Sequence, residues 1–238
     1  MSISFCKLCK NPALLQDSHI IPASMHKVLK DKNGKNISFH LPGDLKMKNQ
    51  RDVKEYMLCK NCEELFSKFE DSVNILKPLW KSSTEGKNPH VIPAKSVTSI
   101  LQLAHSVFWR ASVSERLNNY KLPATDEETL RLALLNNLPI EPPRFAVYLH
   151  FFSYLRSIGS SNMMQSPFTH NVFPDSTYSA FVSLGIIFSM QSPVASEILG
   201  PGPYLSTSES YKIARAPILI EYPCVLILDA IQEIAKNP

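Results

Sequence analysis

Two Cys-x-x-Cys pairs, Cys6/Cys9 and Cys59/Cys62, flank the run Ser18-His19-Ile20-Ile21-Pro22. Four thiolates in two knuckles can close a tetrahedral Zn²⁺ site, each pair supplying two ligands across one tight turn. A site closed by four sulfurs keeps no open position, so its work is structural. The competing reading is two independent redox pairs, but neither pair opens a thioredoxin-like βαβ unit. The reactive candidate is then His19, an imidazole held in place by the metal rather than bound to it. Cys224, alone in an apolar run, reads as packing.

The elements that position these residues follow from pattern and punctuation. The stretch from Leu14 to Ile21 reads as a strand carrying His19 and ended by Pro22. Residues 24–52 are polar and Lys-rich, with turn signals at Asn33-Gly34 and Pro42-Gly43, so an irregular excursion with a short helix at its start is expected. Tyr56-Met57-Leu58 leads back as a strand into the second knuckle. A helix should begin near Cys62, because Leu65, Phe66, Phe69, Val73 and Leu76 recur at helical spacing. Knuckle, hairpin, then a helix whose first turn carries the last ligands is a treble-clef arrangement.

Residues 1–80 therefore read as a zinc-bound ββα unit, and 81–238 as an α+β domain joined to it by the polar stretch 81–88. In the second unit, the spacing predicts helices over 96–119 and 126–137, a buried strand over 145–155, a loop over 160–174, strands over 178–190 and 216–228, and a short helix over 229–236. Trp109 reads as a core anchor, and Arg110 as a charge for a carboxylate or a phosphate. The fold class expected is α+β: a treble-clef zinc finger followed by a helical segment and a mostly antiparallel β region.

Over residues 5–68 the chain resembles the four-cysteine branch of the HNH (His-Me finger) endonucleases. The resemblance rests on Cys6-x-x-Cys9, on Ser18-His19-Ile20-Ile21-Pro22 and on Leu58-Cys59-x-x-Cys62-Glu63. It implies that His19 is a general base that deprotonates a water attacking phosphorus, with one Mg²⁺ or Mn²⁺ ion stabilising the leaving oxygen. It also implies a bacterial or phage setting, with roles such as host defence. The chain departs from the family at three places. Ser18 stands where the family usually has a metal-binding Asp, with Asp17 one place earlier. Lys54 and Glu55 occupy the stretch where an Asn is usual, and Glu63 replaces the family's final histidine. Asp17 and Glu63, with Glu70 two helical turns on, are the carboxylates available to a hard divalent ion. In the competing reading the module is a catalytically silent finger that binds nucleic acid or a protein partner, and the acidic residues merely favour the start of a helix.

Charge points the same way. Residues 1–81 hold 14 Lys and Arg against 9 Asp and Glu, and the remainder 11 against 12, so the basic excess coincides with the cysteine unit. Lys27, Lys30, Lys46, Lys48, Arg51 and Lys54 all fall between the two knuckles and are the expected phosphate contacts with DNA. Phe39 is the one Phe, Tyr or Trp among them, and no alternation of basic and aromatic residues suggests base stacking, so base-specific reading is not expected. His26 and His40 lie in the same excursion. No segment reaches the roughly 18 unbroken apolar residues of a membrane helix, and the first ten residues carry no signal-peptide core. A cytoplasmic protein is expected, in a compartment where thiol pairs bind metal rather than form disulfides. Residues 160–238 hold no motif for chemistry; the second unit, 81–238, is expected either to meet a protein partner or a ligand or simply to complete the fold.

Overall fold

The computed structural model describes residues 3–29, 37–39, 53–78, 91–117, 120–140, 144–151, 163–173, 176–192, 205, 211–212 and 214–215. The expected strand over 216–228, the closing helix over 229–236, the stretch 81–88, Cys224 and His40 lie outside these residues, as do Lys30, Lys46, Lys48 and Arg51. No described helix is long and apolar enough to cross a membrane.

The chain is a mixed, α+β protein. A short strand Ile3–Phe5 (β1) leads into the first knuckle, and Pro12–His19 (β2) leaves it. The two pair antiparallel, with Ile3 opposite Leu14 and Phe5 opposite Pro12. After Pro22 the chain turns into a short helix, Ala23–Leu29 (α1), at the start of the excursion. Later in that excursion, Ile37–Phe39 (β3) is a strand rather than irregular chain. Lys54–Cys59 (β4) then pairs antiparallel with β2, giving a three-stranded sheet in the order β1-β2-β4.

Lys60–Glu70 (α2) starts directly at the second knuckle, with Cys59 as its extended N-cap residue and Cys62 in its first turn. Residues 73–78 (α3) are helical again. Phe66, Phe69, Val73 and Leu76, picked out by the helical period, are all buried.

A two-residue strand Val91–Ile92 (β5) precedes the longest described helix, Ala94–Val113 (α4), which Pro93 opens. Along α4 the buried set includes Gln102, His105, Ser106, Arg110 and Ser112 beside the apolar residues, so the helix is enclosed on every side. It packs on α2, on Ala124–Leu135 (α5) and on the second sheet. That sheet contains Ala146–Phe151 (β6), Met163–Phe173 (β7), Ser176–Ser183 (β8) and Ile186–Ser192 (β9). Two short strands follow, Tyr211–Lys212 (β10), which pairs with β5, and Ala214–Arg215 (β11). The sheet order is β11-β6-β9-β8-β7-β3. Its central ladders are antiparallel, and β11 on β6 and β3 on β7 are parallel.

Besides β3, the helix expected over 96–119 ends at Val113, with Ser114 in extended backbone, and two elements of the second sheet differ from expectation for local reasons. The stretch expected as a loop over 160–174 is strand β7. Its Pro167 has no N–H for a ladder, and the pairing skips there, with a register shift between Gln165 and Phe168. Proline and polar residues thus imitate a loop in a strand that bulges around them. The single strand expected over 178–190 is the hairpin β8–β9, turned at Leu184 (φ 58°) and Gly185 (φ 65°). Two left-handed residues in succession match a two-residue hairpin loop. The buried Leu184 continues the apolar run and hides the turn.

One apolar core runs from Cys6 and Leu8 of the first knuckle, through Ile20, Phe66 and Phe69, to Trp109, Phe108, Phe181 and Phe188. Trp109 meets the Phe66 ring edge-on at 6.0 Å, and Phe108 meets Phe181 at 5.2 Å. The α4 helix is thus shared between the cysteine unit on one side and the larger sheet on the other. Because Trp109 is fully buried between them, Trp109→Ala should lower stability by about 3–5 kcal/mol. The urea midpoint followed by circular dichroism checks this. A loss below about 1 kcal/mol would contradict the packing described.

Candidate functional site: a four-cysteine centre and the histidine strand beside it

The four cysteine sulfurs lie within 4.8 Å of one another, and this is the one convergent group of three or more His, Cys, Asp or Glu among the described residues. The first knuckle builds its half through main-chain geometry. Cys6 N–H donates to Asn11 O at 2.9 Å, Lys10 N–H returns to Cys6 O at 2.9 Å, and Lys10 takes a left-handed φ of 63°. The second half is tied to the first by the Cys59 amide, which donates to Cys6 Sγ at 3.3 Å. Cys9 Sγ and Cys59 Sγ are 3.9 Å apart. A tetrahedron with metal–sulfur bonds of about 2.3 Å has edges of about 3.8 Å, so the spacing suits zinc.

The electrostatics agree with that chemistry. Burial raises the Cys6 thiol, but the amides of Cys9, Cys59 and Leu8 outweigh it and hold the group below its ordinary value. Burial pushes Cys9 and Cys62 up, and the neighbouring sulfurs add to it. A cation among the sulfurs would offset the cost of ionising Cys9 and Cys62 here.

A cleft of about 700 Å³ opens beside the cluster, its lining including Cys9, Cys59 and Cys62 with Pro12, Leu14 and Leu65. None of Ser18, His19, Glu63 or Glu70 lines it. Its walls are mostly apolar, and β2 lines it with its first residues, Pro12 to Gln16, rather than with its His19 end.

On β2, the pairing with β4 shifts register between Gln16 and Asp17, ahead of the residues of interest. Beyond that point successive side chains alternate, so Asp17 and His19 share one face and Ser18 takes the other. Ser18 is buried and its Oγ donates to Glu63 Oε2 at 2.7 Å. Glu63 is thus brought to the strand residue just before His19. Asp17 is exposed and lies across from Tyr56, with Lys54 Nζ 3.9 Å from its carboxylate. Among the expected catalytic set, the structure places Glu63 against Ser18 and turns Asp17 to the opposite face of the strand. Of the expected phosphate contacts that are described, Lys27 is exposed on α1 and Lys54 sits at the end of β4 beside Asp17.

His19 is half-buried, with its ring centroid 6.4 Å from that of His26. His26 itself is buried on α1, whose start at Pro22 folds it back toward β2. The His19 carbonyl accepts from Arg110 Nη1 at 2.8 Å, and the same nitrogen reaches Glu70 Oε1 at 3.1 Å. Glu70 is therefore committed to an ion pair behind the strand.

Glu55, in the stretch where the HNH pattern has an Asn, has a different task here. Its carboxylate accepts from Lys7 Nζ at 2.6 Å, Ser114 Oγ at 2.7 Å and the Glu115 amide at 2.9 Å. Lys7 Nζ also donates to Val113 O at 2.8 Å. The first knuckle, β4 and the end of α4 meet in this one network. From α5, Arg131 Nη1 donates to Leu8 O at 2.5 Å. Sequence reasoning did not single out Ser18 as a contact of Glu63, nor Glu55 as a clasp. Both are long-range pairings with no local periodic signal.

Comparison with family models, with curated proteins and with solved structures returned no match.

Burial raises the Glu55 carboxyl, but Lys7 and the Ser114 hydroxyl outweigh it and hold it below its ordinary value of 4.5. A carboxylate lowered in the folded state stabilises above its unfolded pKa, and that contribution is lost as pH falls through the folded value. Glu55→Gln should therefore cost about 1–3 kcal/mol at pH 7. The gap from wild type should close as pH drops below about 4. Urea midpoints of the two proteins across pH 3–7 check this, and a gap independent of pH would contradict it.

Proposed function

We propose that the chain is a zinc-stabilised, metal-dependent nuclease of HNH type that hydrolyses phosphodiester bonds of DNA, with His19 as general base. The observation that carries this reading is the position of Ser18-His19. The pair ends a strand whose partner, β4, runs straight into the second knuckle, and Glu63 of α2 reaches that strand at 2.7 Å from Ser18. The hairpin β2/β4 and helix α2, joined at the cysteine cluster, support a treble-clef unit with Zn²⁺ at its centre.

In this reading, His19 takes the proton of the attacking water, and its strand fixes where the imidazole sits. The resemblance implies a catalytic Mg²⁺ or Mn²⁺ ion, which when bound would stabilise charge on the phosphoryl and leaving oxygens. Magnesium is commonly held by one or two carboxylates plus waters and substrate phosphates. Glu63, with the Ser18 hydroxyl beside it, fits that sparse donor set. Glu63 meets the strand on its Ser18 face, whereas Asp17 shares the face of His19, so of the two carboxylates Asp17 lies on the side of the base. The basic residues between the knuckles, Lys27 and Lys54 among them, attract the phosphate backbone without reading its sequence.

A second reading is favoured by one observation: Asp17, the carboxylate on the His19 face, is paired with Lys54 at 3.9 Å. A finger with that carboxylate occupied in this way can be catalytically silent and hold nucleic acid or a protein partner.

Incubating plasmid and single-stranded DNA with Mg²⁺ or Mn²⁺ separates the two. The nuclease reading expects metal-dependent cutting by wild type and a loss of about 10²-fold or more in zinc-loaded His19→Ala. DNA binding that weakens with salt, with no cutting by either protein, would establish the silent finger instead.

A further inference from the structure

Arg110 lies on α4, outside the cysteine unit, and none of it is exposed. Each edge of its guanidinium has a partner. Nε donates to Ser106 O and Nη2 to Ser106 Oγ, both at 3.3 Å, which anchors the group to its own helix. Nη1 faces the other way, to His19 O at 2.8 Å and Glu70 Oε1 at 3.1 Å. The plane rests over the Phe66 ring, 5.2 Å from its centroid, and Trp109 closes the other edge of that ring. One planar, always-charged group thus connects α4, α2 and the last residue of β2.

We propose that Arg110 is a positioning residue for His19, holding the main-chain carbonyl of the general base from a helix that lies outside the finger. The inference rests on the nuclease reading for its kinetic consequence and on geometry alone for its structural one. His19 is the final residue of its strand, and beyond it Ile20 N–H bonds to Val53 O at 3.0 Å before the chain turns at Pro22. Ile20 and Ile21 are buried, so the chain beyond His19 is already held on the Val53 side. Arg110 holds the His19 carbonyl itself, and displacement of a catalytic group by about 1 Å can cost roughly 10²-fold in rate. It follows that the cysteine unit does not complete its own site. Helix α4, which is also packed against the larger sheet, sets where His19 points.

The test uses the full-length, zinc-loaded chain with Arg110→Lys and Arg110→Gln, comparing cleavage kinetics and the His19 imidazole resonances by NMR. Positioning expects kcat to fall about 10²-fold in Arg110→Gln with KM for DNA changed less than about twofold. Arg110→Lys, which keeps the charge but not the planar fork, should recover part of that loss. The His19 resonances should shift in the same order. Zinc-loaded variants with wild-type kcat and unmoved His19 resonances would overturn the proposal. So would a rise in KM alone, which would mark Arg110 as a DNA contact. If Arg110→Gln does not load zinc, Arg110→Lys decides in its place: moved His19 resonances support the strut and unmoved ones overturn it. A wild-type protein that does not cut refutes the nuclease reading, while the NMR comparison still decides whether Arg110 holds His19.

Discussion

Convergence of four sulfur atoms within 4.8 Å is the constraint on which the rest of this structure depends. Cys6 and Cys9 come from a turn before β2, and Cys59 and Cys62 from the junction of β4 and α2. Closing the cluster therefore fixes both ends of the hairpin and the start of the helix at once. The surrounding strands are short, and Ile3, Phe5 and Tyr56 are largely exposed, so the small sheet has little core of its own. A metal ion bound among the four sulfurs would supply cohesion that a unit of this size draws only in part from apolar burial.

The second source of order is α4. It brings three kinds of interaction to the cysteine unit: the Trp109–Phe66 contact, the Arg110 fork, and the Lys7–Glu55–Ser114 network at its C-terminal end. The partly buried Lys7–Glu55 pair is joined by hydroxyl and amide donors, which distinguishes it from an isolated surface ion pair of small worth. The cysteine cluster positions the backbone of the finger, and α4 then orients the strand end on which His19 sits. The division explains why acidic and basic residues that resemble catalytic or nucleic-acid contacts in the sequence, Glu70 and Arg110, serve as joints.

Much of this was legible from residue spacing where the signal is local. The cysteine pairs, the helix after Cys62 and the helices around Val107 and Leu130 carry short periods that neighbouring residues reinforce. The β-region was legible in kind but not in register, because Pro167 sits at a bulge and Leu184 hides a turn inside an apolar run. The candidate site was legible as a list of residues more than as an arrangement. Alternation along β2 placed Asp17 and His19 on one face, but nothing local says that Glu63 comes to Ser18 on the other. Arg110 was read as a charge for a carboxylate or a phosphate, and Glu70 is that carboxylate; its bond to the His19 carbonyl, 91 residues away, and that of Glu55 to Ser114, 59 residues away, have no local signal.

The central claim is that one zinc ion, held by Cys6, Cys9, Cys59 and Cys62, organises the unit that presents His19. X-ray absorption at the zinc edge on the purified protein tests it most directly. The account predicts one zinc per chain with a single shell of four sulfurs at about 2.3 Å. A folded protein without zinc, or with a mixed shell of sulfur and lighter ligands, would contradict it.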